Sequence, residues 1–181
     1  EKGQSLQKLY SDIDCEVRAF HENGETLSED VCFAQLNYTK YGLSTEEAVS
    51  VWKIYCCDNP LYYWLSNTLV YTVEDIMLNV YEDYADGKVR TQANKKIYSE
   101  ASKLCDVVKN ETSAYLKVLA FHDAIIQSID YAYDETGAAQ AASWAHGILG
   151  VFEGKGAVCE GYAKAFRLLL NLCGVENIYV T

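Results

Sequence analysis

The sequence predicts an α+β fold in which helix dominates. A single proline, Pro60, in 181 residues leaves few interrupted elements. Apolar residues recur at three- and four-residue steps through several long stretches. Strand-like composition is confined to the region near 69–84 and to the last residues, 178–180. Half of the residues are hydrophobic and 13% are aromatic, which excludes a disordered or collagen-like chain. No apolar run approaches the roughly 18 residues that read as a membrane span.

Leu6, Leu9, Ile13 and Val17 place a first amphipathic helix over 5–21, closed by Asn23-Gly24. Ser44 with Glu47 three residues on is a capping box, which starts a second helix that runs to about residue 57, before Asp58-Asn59-Pro60. Leu61-Tyr-Tyr-Trp64 crowds too many rings for a solvated loop and is expected as an aromatic plug of the core. Val70, Thr72, Ile76, Leu78 and Val80 fall at largely two-residue steps broken by Glu74-Asp75, the pattern of a hairpin within 69–84. Asp86-Gly87 closes it.

A charged helix over 91–108 follows, with Ile97, Ala101, Leu104 and Val108 on one face. After a break at 110–113 comes a helix over 113–131, carrying Leu116, Leu119, Ala120, Ile126 and Ile129 at the helical period. A short alanine-rich helix is expected over 138–149. Glycines at 150, 154, 156 and 161 then lead into a helical run over 162–173 that Gly174 stops, and Ile178-Tyr179-Val180 begins a strand. The chain thus divides into a mostly helical N-terminal region, 1–110, and a second region, 111–181.

Fifteen Lys and Arg against 26 Asp and Glu give a net charge of -11. Such a field repels phosphate, so nucleic acid and anionic membrane are not expected as partners. The first residue is Glu1 rather than Met, and no charged, apolar leader follows it. The start is expected to be processed, which points to an extracellular or cell-envelope location. Seven cysteines, at 15, 32, 56, 57, 105, 159 and 173, leave at least one thiol outside any internal set of disulfides. No CxxC pair occurs, and His21, His122 and His146 lie far from cysteines at finger spacing, so no metal is implied. The glycines miss the G-x-G-x-x-G spacing, no Gly-Lys-Ser/Thr follows, and no D-x-D-x-D-G loop is present; no cofactor is demanded.

Cys159 is the candidate catalytic residue. A glycine loop delivers it to the first turn of a helix, where unpaired amides and the helix dipole favour a thiolate and donate to a developing oxyanion. Gly156 and Gly161 are expected to let a substrate backbone approach. A small packed thiol is the competing account of the same position.

The stretch Gly154-Lys-Gly-Ala-Val-Cys159-Glu-Gly-Tyr162-Ala-Lys-Ala-Phe166 resembles the nucleophile segment of the transglutaminase-like superfamily, where a G-x-V-C-x-G-Y-A run opens the central helix. Upstream, 119–134 resembles the family's preceding helix with its aromatic-Asp pair, and 58–65 is similar to a segment of bacterial, often exported members with a helical N-terminal region. The resemblance implies a papain-like α+β core with a Cys-His-Asp triad. Cys159 would attack a peptide or glutamine carbonyl to give a thioester, open to transamidation, deamidation or proteolysis. The implied partner is a protein or peptide substrate.

In that family the His and Asp follow the nucleophile helix, and the sequence ends at Thr181 before either. His122 most resembles a structural position, and His146 is expected to be a packing or surface residue. The chain as given is therefore not expected to turn over. The rest of the sheet is expected to have been lost or to come from another chain, and the apolar face of the Cys159 helix is expected to be exposed without it. Two alternatives stand beside the enzyme. One is a non-catalytic module of the same fold that binds peptide or cell-wall material through Tyr62, Tyr63 and Trp64. The other is a disulfide-stapled domain in which Cys159 is paired.

Overall fold

The computed structural model describes residues 2–28 and 30–180. The chain is α+β, and it packs as two compact units, one ending at Thr91 and the other beginning at Gln92.

The first unit opens with α1 (Lys2–Asn23), whose residues Leu9, Ile13, Val17 and Phe20 are buried as the helical period requires. β1 (Cys32–Asn37) leads through a 3-10 turn to α2 (Thr45–Asp58). Ser44 caps α2 as expected: its hydroxyl accepts from the Glu47 amide, and the Glu47 carboxylate accepts from the Ser44 amide at 2.9 Å. β2 (Val70–Tyr71) and β3 (Asp75–Asn79) form the expected hairpin, and β1 joins on the other side, giving an antiparallel sheet in the order β1-β3-β2. Leu36 stands opposite Ile76 and Ala34 opposite Leu78. Ile76 and Leu78 are fully buried while their neighbours are half-buried, so one face of β3 seals the core.

The aromatic plug is real. Trp64 is fully buried and Tyr63 nearly so; Trp64 lies 5.3 Å from the Phe20 ring and 5.7 Å from the Phe33 ring. These rings are core, which removes Tyr63 and Trp64 as a contact surface for peptide or cell-wall material. Arg90 completes the cluster from α3 (Gly87–Val107). Only 3% exposed, its guanidinium lies over the Phe20 and Trp64 rings and donates to the carbonyls of Tyr84, Ala85 and Glu25. Burial lowers its pKa, against the pull of the surrounding negative groups.

α3 begins four residues before the expected start. Asp86 is not the end of a turn but a cap: its carboxylate accepts from the Lys88 amide at 2.8 Å.

The second unit contains α4 (Ala114–Ser128), capped by Ser113, then α5 (Ser143–His146), α6 (Leu149–Phe152) and α7 (Cys159–Leu172). α4 stops three residues short of the expected end because Asp130 and Ala132 pair instead with Ala157. The alanine-rich stretch 138–149 is not one helix. The Asp134 carboxylate accepts from the amides of Thr136 and Ala138, building a turn, and Ala139 bridges back to Tyr133, which leaves only two short helices beyond it. α7 ends in a Schellman motif, with the Val175 amide on Leu170 O and the Gly174 amide on Asn171 O, Gly174 itself at φ +67°. Residues 178–180 are not strand here; Ile178 and Val180 are 84% and 78% exposed. The apolar face of α7 is nonetheless covered, with Leu168, Leu169 and Leu170 all buried.

Candidate functional site

The segment before α7 sets where Cys159 lies. Ala132 donates to Ala157 O at 3.0 Å, and Tyr131 and Ala157 form a parallel bridge, so residues 130–132 run beside the approach to the helix. Val158 then donates to Ala145 O at 3.0 Å, and Ala132, Ala145 and Val158 bury together with Trp144 against them. The chain is therefore pinned on both sides immediately before Cys159.

Cys159 is the first residue of α7 and is exposed. Val158 at the N-cap has no side-chain oxygen to offer, so no capping side chain competes for the first-turn amides. The thiol opens onto a groove of about 480 Å³ bounded on one side by α7 residues Ala163, Phe166 and Leu170 and on the other by Ile178, Tyr179 and Val180. Cys159, Ala163, Phe166 and Leu170 follow the three- and four-residue steps of one helix face.

The glycines serve the protein rather than a substrate. A Cβ on Gly161 would lie 2.4 Å from Ala145 O and 3.0 Å from Gly147 O, and one on Gly156, at φ +97°, would lie 2.8 Å from Asp130 O. Both positions are filled by the chain's own backbone, which corrects the expectation that they admit a substrate.

Behind the thiol sits a cluster that the sequence does not reveal. Glu160 bonds Lys164 Nζ at 2.7 Å and His146 Nδ1 at 3.0 Å. Burial raises the Glu160 pKa, but Lys164 and His146 outweigh it and hold the carboxyl below its ordinary value. The acid next to Cys159 is thus neutralised by a cation that is itself buried. Glu160 and Lys164 stand four apart on one helix, a legible pair; His146 comes from α5, fourteen residues earlier, and meets them only because α5 packs on the α7 start. His122 is exposed on α4, 3.0 Å from Asp123 Oδ1, and takes no part in lining the groove.

None of the seven cysteines is in a disulfide, so the paired Cys159 of the stapled-domain alternative is not seen. Cys105 and Cys173 touch through a hydrogen bond, and burial, reinforced by that contact, pushes the Cys105 thiol up to about 12. Among the described residues no three His, Cys, Asp or Glu side chains converge as a metal site would require. No helix is long and apolar enough to cross a membrane among the described residues.

No family model and no curated protein matches the sequence.

Proposed function

We propose that this chain carries the nucleophile of a transglutaminase-like cysteine enzyme acting on peptide or glutamine carbonyls. One observation carries it: an exposed thiol at the first residue of a helix without a capping side chain, on the lip of a groove, in a segment held from both sides. In the acyl-transfer chemistry, the Cys159 sulfur attacks the carbonyl carbon and first-turn amides donate to the oxygen as charge develops there. Collapse of the tetrahedral adduct breaks the C–N bond, the proton given up by the thiol goes to the departing nitrogen, which leaves as amine or ammonia, and an acyl thioester on Cys159 remains. Amine or water resolves it, so transamidation, deamidation and proteolysis share this first step.

The test is differential labelling of the folded protein. Iodoacetamide at pH 7 is expected to label Cys159 at least ~tenfold faster than Cys173, which is half-buried and hydrogen-bonded. Equal rates end the nucleophile proposal. Turnover is looked for in the full gene product, as amine incorporation into, or ammonia release from, a glutamine peptide, each abolished by Cys159→Ala.

A further inference from the structure

Beside the approach to Cys159, where Tyr131 bridges Ala157, tyrosine rings run in a row. Tyr162 lies three residues from Cys159 on α7, hence on the adjacent part of the same face. Its hydroxyl donates to Ile129 O at 3.0 Å, which fixes the ring. Tyr131 stands nearly parallel to it, 16° between planes with centroids 6.5 Å apart, and Tyr133 follows at 5.0 Å. The alternation of an extended segment explains the row: Ala132 points into the core, so Tyr131 and Tyr133 share the opposite face, 37% and 62% exposed. Tyr131 rests on Tyr162 and Tyr133 on Tyr131, and the ring surface left over at Tyr133 and the rim of Tyr131 is open.

The charge around the row has one sign. From Val118 to Gly154 the sequence holds no Lys or Arg, while Asp123, Asp130, Asp134, Glu135 and Glu153 all fall within it. Asp130 immediately precedes Tyr131 and acts on Tyr162 through its charge. Lys155, the next cation, is already paired with Glu153 at 2.7 Å. The groove carries a cation, Arg167, and its acid, Glu160, is already paired with Lys164 at 2.7 Å. Negative ring faces flanked in sequence by Asp130, Asp134 and Glu135 attract a cationic side chain and disfavour an anionic one.

We infer that Tyr131 and Tyr133 form a subsite for a lysine or arginine side chain of the peptide whose carbonyl meets Cys159. The inference rests on the nucleophile role proposed above. The peptide would cross the α7 start with its basic residue on the tyrosine row and its apolar side in the groove beside Phe166. An extended chain advances about 3.3 Å per residue, so the basic residue falls within a few positions of the attacked carbonyl.

The experiment uses short bromoacetyl peptides, in which the Cys159 sulfur displaces bromide and forms a thioether. Peptides carrying Arg at the first, second or third position are compared with the same peptides carrying norleucine. Labelling of Cys159 is followed by mass spectrometry alongside iodoacetamide, which has no side chain to place. At one position the Arg probe is expected to label about tenfold faster than its norleucine twin at subsaturating concentration, the order given by a cation over partly desolvated rings. Tyr131→Leu with Tyr133→Leu is expected to abolish that preference while the iodoacetamide rate stays the same; Tyr131→Phe with Tyr133→Phe retains it. Equal Arg and norleucine rates at all three positions overturn the subsite, even where iodoacetamide still singles out Cys159. Loss of preference in the phenylalanine variant also overturns it, because the rings would then not be what is read. If iodoacetamide does not single out Cys159, the nucleophile role fails, a distinct outcome.

Discussion

Replacing Gly161 by alanine should loosen the seat of Cys159. The added methyl would sit 2.4 Å from Ala145 O, well inside contact distance and against backbone that has no rotamer to change. The same carbonyl accepts the Val158 amide at 3.0 Å, so the methyl and that hydrogen bond compete for one oxygen. Overpacking costs about 1–3 kcal/mol, and a clash with backbone puts this case in the upper part of that range, about 2–3 kcal/mol. Alanine returns at most about 1 kcal/mol through its better helix propensity. The net is a local destabilisation of about 1–2 kcal/mol. Read as amide exchange at Val158, this is roughly a five- to thirtyfold loss of protection. Cys159 alkylation by the arginine probe should slow in parallel, because the reacting sulfur no longer holds one position. Gly174→Ala is the control: no atom lies within 4 Å of its Cβ, φ is +67°, and its cost of about 1 kcal/mol should appear at the end of α7 without touching Val158. Unchanged or increased protection at Val158 in Gly161→Ala would refute the claim that the close approach positions the nucleophile.

Arg90→Met removes three bonds to backbone carbonyls in the first unit, that of Tyr84 among them buried, and should destabilise that unit by about 3 kcal/mol, seen as a lower urea midpoint in Trp52 and Trp64 fluorescence, with Arg90→Lys only partly rescuing. Ser44→Ala removes the hydroxyl that accepts from the Glu47 amide, while the backbone amide at 44 still donates to the Glu47 carboxylate, and should cost about 1 kcal/mol in the same assay. The Glu160 carboxyl has a folded pKa below its ordinary value of 4.5, so it binds protons more weakly folded than unfolded. Its stabilisation of the second unit is complete above pH 4.5 and is lost as pH falls through the folded value; Glu160→Gln should flatten that acid limb, measured by circular dichroism between pH 6 and 2. Cys105, with its thiol pushed up to about 12, should resist iodoacetamide at pH 8 in the folded protein and react once urea unfolds it.

Local signals were readable wherever a single element determined the outcome. The period of Leu9, Ile13 and Val17, the Ser44-Glu47 box and the glycine-to-helix passage at Cys159 each declare themselves within about one or two helical turns. β1 was not legible, because Cys32-Phe-Ala-Gln-Leu-Asn37 shows no clean alternation and becomes a strand only by pairing with β3. Alanines at 138, 139, 141 and 142 favoured helix by propensity, yet the Asp134 turn and the Tyr133 bridge claimed their backbone first. Ile178-Tyr179-Val180 has strand composition but is not a strand in the structure. At the site, the thiol was visible and its surroundings were not. His146 reaches Glu160, and Tyr131 reaches Tyr162, through packing between segments that sequence spacing does not encode.

The three consecutive buried leucines of α7, Leu168, Leu169 and Leu170, have a consequence for how this groove can diversify. A helix gripped around most of its circumference can neither roll nor slide, so the Cys159 wall tolerates little variation. The facing wall, residues 178–180, contributes no strand ladder, and its Ile178 and Val180 are the most exposed large apolar side chains among the described residues of the second unit. Substitutions there should retune which side chains fit while leaving the attacking atom where it is. Selectivity and reactivity are in this way assigned to opposite walls and open to separate selection.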